Sequence, residues 1–281
     1  MMNENAGNSE LNSELKRERI TAPGLVEKKR RGEKIVAVTA YDFAAARIVD
    51  KAGVDIALVG DTLGIMALGY RNTVPVTLDE TLHHVKAVRR GLKFALLLAD
   101  MPFGTYQAGQ DDALRNAVRL LKEGEAQAVK LEGGAAILET VRRMTEAGIP
   151  VCGHLGLTPQ SIHAFGGNKA QGQTDEAAQT LLQDAKGLQE AGAFAVVLEV
   201  IPAALAAQVT AALEIPTIGI GAGPDCDGQV QVWHDLMGIY PGKNLRHVKR
   251  YAEIGQAMED ALRAYAEETR NSAFPTQENT L

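Results

Sequence analysis

The sequence predicts an α/β protein, a single-domain (β/α)8 TIM barrel with short disordered tails, on three observations. Eight short apolar runs alternate with segments of helical period. A small motif ending in glycine recurs where the helices should stop. The first run leads into "VTAYDFAAA", which lacks the glycine-rich phosphate turn that an open doubly wound sheet would favour there.

Residues 1–20 are polar and uneven and read as a mobile tail. Lys28-Lys29-Arg30-Arg31, followed by Gly32, reads as the solvated end of a short helix rather than a targeting or anion patch. The strands are "KIVAVTAY" (34–41), "DIALVG" (55–60), "FALLLAD" (94–100), "AVKLEG" (128–133), "PVCGHLGL" (150–157), "FAVVLEV" (194–200), "TIGIGAG" (217–223) and "QVQVWHD" (229–235). They lack clean alternation, as parallel strands covered on both faces should. Thr77-Leu78-Asp79-Glu80 fits a capping box. "KAG" to Gly53, "KEG" to Gly124 and "EAG" to Gly148 and Gly192 place glycine where a helix ends in the left-handed region. Eight such units within residues 21–268 fit a barrel, leaving 269–281 as a second mobile tail. "GIGAGPDCDG" (219–228) fails as a dinucleotide fingerprint, because Pro224 stands where the last glycine belongs.

Composition narrows the function. With 46% hydrophobic residues in 281 the chain can bury a large core, and a net charge of −6 without clustered basic residues argues against nucleic acid. Two cysteines, Cys152 and Cys226, make no disulfide framework and read as buried structural thiols of a reducing compartment. No secretory leader and no apolar run of about 18 residues is present, so a soluble cytoplasmic protein is expected.

The strands end in charge: Asp61, Asp100, Lys130, Glu132, His154 and Glu199. Singly, each has a plain structural reading as a helix cap, a local ion pair or a satisfied histidine. Together, at the open C-terminal face of a barrel, four carboxylates would repel one another without a cation. Oxygen ligands without cysteine or clustered histidine point to Mg2+ or Mn2+, which suits a chelating 2-oxo acid. Adjacent His83 and His84 point different ways on a helix and make poor joint ligands. The connections 61–76 and 157–173 are long, and the second, rich in glycine and polar residues, reads as a lid.

Longer motifs follow in order over residues 21–265: "TAYDFAAARI", "LVGDTLG", "LGYRNTVPVTLDE", "ADMPFGTY", "AVKLEGG", "GHLGLTPQS", "AFAVVLE" and "IPTIGIGAGPDCDGQVQVWHD". In these the sequence resembles the ketopantoate hydroxymethyltransferases. The resemblance implies transfer of a one-carbon unit from 5,10-methylenetetrahydrofolate to Mg2+-held 3-methyl-2-oxobutanoate. The product would be 2-dehydropantoate, on the way to pantothenate and coenzyme A, formed through an enolate. It implies Asp61, Asp100 and Glu132 at the metal, with Asp61, Thr62, Asp100, Lys130 and His154 toward the substrate and Glu199 as general base. It also implies a homo-oligomer, commonly a decamer. Thr62 departs from the family's usual serine; the hydroxyl remains, with an extra methyl beside it.

Two other classes compete. Isocitrate lyase and phosphoenolpyruvate mutase relatives share a barrel and a Mg2+-bound 2-oxo acid, but their lyases carry a K-K-C-G-H type loop that is absent here. A non-catalytic scaffold barrel would be expected to lose the site acids, which are present.

Overall fold

The structure, a computed structural model, describes residues 17–240, 242 and 245–280. The chain divides after Val230 into two compact units. Parallel strands pair in chain order and close into a barrel: β1 (Ile35–Thr39), β2 (Ile56–Val59), β3 (Leu96–Asp100), β4 (Ala128–Glu132), β5 (Val151–Gly156), β6 (Ala195–Glu199), β7 (Thr217–Ile220) and β8 (Gly228–Gln231), all but the last residue of β8 lying in the first unit. Around them lie α1 (Ala22–Arg30), α2 (Phe43–Lys51), α3 (Leu63–Met66), α4 (Leu78–Gly91), α5 (Gln110–Lys122), α6 (Leu138–Glu146), α7 (Ile162–Phe165), α8 (Asp175–Glu190) and α9 (Ala203–Ala212).

Strand parity builds the interior. Successive side chains of a strand point to opposite faces, so every second residue enters the barrel. Ile35 and Ala37, Ile56 and Leu58, Leu96 and Leu98, Ala195 and Val197 form one buried cluster with Ala128, Cys152, Ile218 and Val230. Ala22 and Leu25 of α1 join that cluster with Phe194, closing the N-terminal end. Outward residues such as Leu97, Val129 and Leu198 are equally buried, which explains the missing alternation in the sequence.

The local signals act as physical chemistry requires, with two exceptions. At Thr77 the capping box forms: Glu80 N–H donates to Thr77 Oγ1 (3.2 Å) and Thr77 N–H to Glu80 Oε2 (2.8 Å). Gly53, Gly148 and Gly192 have positive φ, as expected of helix ends. At "KEG" the left-handed residue is instead Glu125 (φ 55°), and Gly124 serves close packing, since a Cβ there would lie 2.6 Å from Val85 Cγ1. The basic run is only partly solvated. Lys28 pairs with Asp55 (2.7 Å) and Lys29 with Asp227 (3.0 Å), fastening α1 to the barrel, while Arg31 meets Glu33 on the surface.

The terminal segments also differ from expectation. Residues 1–16 of the expected N-terminal tail lie outside the described residues, but Arg17 Nη2 donates to Val54 O (2.9 Å) and Ile20 N–H to Phe94 O (2.8 Å). In the second unit, residues 233–236 form a helical turn, α10 (Trp233–Leu236), rather than the end of a strand. Leu236 N–H closes it on Val232 O at 3.0 Å. The expected boundary at 268 falls inside α11 (Ile254–Arg270), and Gln277–Asn279 makes a further 3-10 turn. Among the described residues no helix is long and apolar enough to cross a membrane.

Leu25, fully buried, is the main apolar side chain that α1 adds to the barrel core. Leu25→Ala should lower unfolding stability by about 2–5 kcal/mol. Denaturant titration followed by circular dichroism measures this, and a loss below about 1 kcal/mol would mean that α1 does not close the barrel.

Candidate active site

The parity that fills the barrel with apolar residues continues upward into charge. After Leu96 and Leu98 comes Asp100; after Ala128 come Lys130 and Glu132; after Cys152 comes His154; after Ala195 and Val197 comes Glu199. Register sets them side by side, with Asp100 opposite Lys130 and Glu132 opposite His154. All but Glu199 are buried, and the Glu199 side chain keeps 17% of its exposure.

Asp61 arrives differently. β2 ends at Val59, the inward position falls on Gly60, and Asp61 lies on the turn into α3. A Cβ on Gly60 would come within 3.3 Å of Asp100 Oδ2, so the small residue lets the two acids approach. Asp61 N–H then donates to Asp100 Oδ2 (2.9 Å). Thr62, the N-cap of α3, makes no side-chain capping bond, so its hydroxyl is not used in holding the helix.

The charges form one network. Lys130 Nζ lies 2.9 Å from Asp100 Oδ1, 3.9 Å from Glu132 Oε1 and 3.1 Å from His154 Nδ1. His154 bridges two acids, with Nδ1 3.3 Å from Glu132 Oε1 and Nε2 3.1 Å from Glu199 Oε2. Burial pushes the Asp61 carboxyl well above the usual carboxylate range, and the neighbouring Glu132 and Asp100 push the same way. Asp100 is also raised by burial, with Lys130 opposing. Burial works against the Lys130 cation, but Asp100, Glu132 and Asp61 together hold it protonated. At Glu132 burial is outweighed by His154, Lys130 and the Gln160 N–H, which lower its pKa. Burial and Lys130 oppose protonation of His154, yet Glu132 and Glu199 carry its pKa up to about 9.

Two residues that the sequence reading missed complete the site. Gln160 Nε2 donates to Asp61 Oδ2 (3.0 Å), and the Tyr106 hydroxyl donates to Gln160 Oε1 (2.7 Å). The only signal for them is their place in "ADMPFGTY" and "GHLGLTPQS", since a glutamine or tyrosine in a loop has no charge to betray it.

The segment 157–173 is a strap with ordered ends. It holds a 3-10 turn (Pro159–Ser161) and α7, and both ends are tied to the end of β6. Leu157 N–H donates to Glu199 O (2.8 Å) and Gln171 N–H to Val200 O (3.1 Å). Val200 has φ 48°, a strained conformation for a β-branched residue, immediately after Glu199. Gly156 (φ 93°) is required beside it, because a Cβ would lie 2.2 Å from Glu199 O.

The remaining candidates have plain structural settings. His83 and His84 stack edge to face with each other, and His84 Nδ1 lies 2.6 Å from Tyr41 O. Both cysteines are free and buried, and burial raises the Cys152 thiol to about 12. A thiol held protonated is no nucleophile.

A parallel barrel with buried acids, one lysine and one histidine at its C-terminal mouth defines an enzyme site of the barrel class. The sequence model described as ketopantoate hydroxymethyltransferase matches residues 19–277, and the chain belongs to that family. A 3-methyl-2-oxobutanoate hydroxymethyltransferase of Carboxydothermus hydrogenoformans is 54% identical over 94% of this chain and 96% of its own. One from Acetivibrio thermocellus is 53% identical over 94% and 93%. Among solved structures, a phosphonopyruvate hydrolase in complex with oxalate and Mg++ superposes with TM-score 0.60 at 13% identity, covering 92% of this chain and 93% of that one. A 2,3-dimethylmalate lyase superposes with TM-score 0.58 at 16% identity, covering 93% and 89%. At such identities the two structures share the fold alone.

Proposed function

We propose that the chain transfers a hydroxymethyl group from 5,10-methylenetetrahydrofolate to 3-methyl-2-oxobutanoate, giving 2-dehydropantoate in the cytoplasm. Family membership supports the reaction class. The observation that carries the chemistry is the partly open Glu199 side chain, 3.1 Å from His154 Nε2, in the same mouth as the buried Asp100–Lys130 pair.

The donor set at the mouth fits Mg2+. Asp61 and Asp100 supply hard carboxylate oxygens, the Asp61 N–H bonding Asp100 Oδ2, and Mg2+ commonly takes one or two carboxylates while keeping water and substrate oxygens. Asp61, raised by burial and by its acidic neighbours, is the carboxyl that a cation would relieve most. No group of three His, Cys, Asp or Glu side chains converges as a ready metal cage among the described residues. The place of Glu132 as the third acid at the metal rests on the family resemblance; its oxygens already face Gln160 N–H and His154. Bound there, Mg2+ would polarise the 2-oxo group and acidify the C3 hydrogen.

The chain's own groups do the rest. Lys130 and the Thr62 hydroxyl receive the substrate's oxygens, and His154 sets the direction of Glu199. Glu199 takes the proton from C3. The new bond joins C3 to the one-carbon unit as that carbon's two bonds to folate nitrogens break; water supplies the hydroxyl oxygen, and the C3 proton with one proton of water ends on the two freed nitrogens of tetrahydrofolate.

Glu199→Gln separates proton removal from carbon transfer. In D2O with Mg2+ and no folate, the parent enzyme should exchange the C3 hydrogen of 3-methyl-2-oxobutanoate, followed by proton NMR. The Gln variant should lose exchange and turnover by about 100-fold or more while still binding the 2-oxo acid. Exchange at the parental rate would remove Glu199 from the role of base.

We also propose a homo-oligomer, as in the family, supported by the exposed stripe Ile254, Met258, Leu262 and Tyr265 along α11. Sedimentation equilibrium should give a multiple of the chain mass; a monomer at micromolar concentration contradicts this.

A further inference from the structure

Gln160 is buried, with 5% exposure, in the 3-10 turn after β5, and it touches two site acids at once. Its backbone N–H donates to Glu132 Oε2 (3.0 Å), while Nε2 donates to Asp61 Oδ2 and to Met101 O, each at 3.0 Å. The orientation of the amide is forced. Asp61 Oδ2 can accept and Met101 O can only accept, so the NH2 group must face them and Oε1 must face Tyr106. The Tyr106 hydroxyl has a single proton. It accepts from Glu132 N–H (3.1 Å), and its nearest acceptor is Gln160 Oε1 (2.7 Å), nearer than Glu132 O (3.1 Å). One directed chain of donors therefore runs from the Glu132 backbone through Tyr106 and Gln160 to the Asp61 carboxylate.

We propose that Gln160 is a positioning residue of the site: its amide, oriented by Tyr106, fixes which oxygen of Asp61 is left for a divalent cation, and its backbone N–H fixes Glu132. The inference rests on the reading of these acids as the metal's partners. Asp61 needs such a hold because it sits on a turn, one residue beyond the end of the strand parity that aligns the other acids. A glutamine suits the place, since a carboxylate there would add another like charge against Asp61. The strap 157–173 thus enters the site through its first turn, while its two ends hold the Glu199–Val200 peptide. Outer hydrogen-bond partners of ligating carboxylates are commonly worth about 10- to 100-fold in metal affinity.

Gln160→Met keeps length and volume and removes the donors. Mn2+ titrated calorimetrically into the intact chain, without organic substrate, should bind the variant about tenfold or more weakly than the parent, at unchanged circular dichroism. Tyr106→Phe should weaken Mn2+ by a smaller factor. The double variant should match Gln160→Met alone, because Tyr106 acts on Asp61 through Gln160. Parental Mn2+ affinity in Gln160→Met, or a parent that takes up no Mn2+, overturns the proposal. If Gln160→Met does not fold, Tyr106→Phe decides alone: weakened binding supports the role and parental binding overturns it. Product formation is assayed on the parent separately. A parent that binds Mn2+ but makes no 2-dehydropantoate rejects the proposed reaction and leaves the Gln160 result standing.

Discussion

The buried ammonium of Lys130, 2.9 Å from Asp100 and 3.9 Å from Glu132, is the contact on which the rest of the barrel mouth depends. A charge taken out of water is costly unless it is paired, and removing one partner of such a pair commonly costs about 3–5 kcal/mol. Lys130 stays charged because three carboxylates surround it, and those carboxylates tolerate burial partly because Lys130 is there. His154 extends the same logic to Glu132 and Glu199. Four acids nevertheless face two bases, and the imbalance falls most heavily on Asp61. That imbalance is what supports the proposal of a cation at the site.

The fold makes this charge affordable by stacking it on an apolar floor. The same every-second-residue rule that sends Leu96, Leu98, Ala128 and Cys152 into the core sends Asp100, Lys130, Glu132 and His154 into the mouth. Closure of the sheet then brings residues far apart in sequence into contact, as with Gln160 Nε2 and Asp61 Oδ2, which meet at 3.0 Å. Strain collects at the rim, where Val200 is held in the left-handed region by bonds to Ile220 and Gln171.

Much of this was legible in the sequence because burial on both faces leaves long apolar runs and because charge at a strand end is conspicuous. The barrel, the capping box at Thr77 and the helix-ending glycines at 53, 148 and 192 all followed from local chemistry. What local chemistry could not show was decided at a distance. Gly124 serves contact with Val85 rather than a left-handed turn, and Lys28 and Lys29 find Asp55 and Asp227 from elsewhere in the chain. The strand expected through residue 235 gives way to a helical turn, closed by a bond that apolar patterning does not reveal. Asp61, Asp100, Lys130, Glu132, His154 and Glu199 do meet, because each lies at or just beyond the end of its strand. Gln160 and Tyr106 were hidden, since neutral polar side chains gain meaning only from the partners that folding supplies.

We propose that Asp61 and Asp100 form a divalent-cation site in a mouth that carries more acids than bases. A ligand that binds only the native state raises stability by about 2.7 kcal/mol at 100 times its dissociation constant, so thermal melting against Mg2+ concentration reads the claim directly. The parent's melting temperature should climb with Mg2+, and Asp61→Asn and Asp100→Asn should each flatten the climb while remaining folded. A parent that ignores Mg2+, or Asn variants that climb as steeply as the parent, would contradict it.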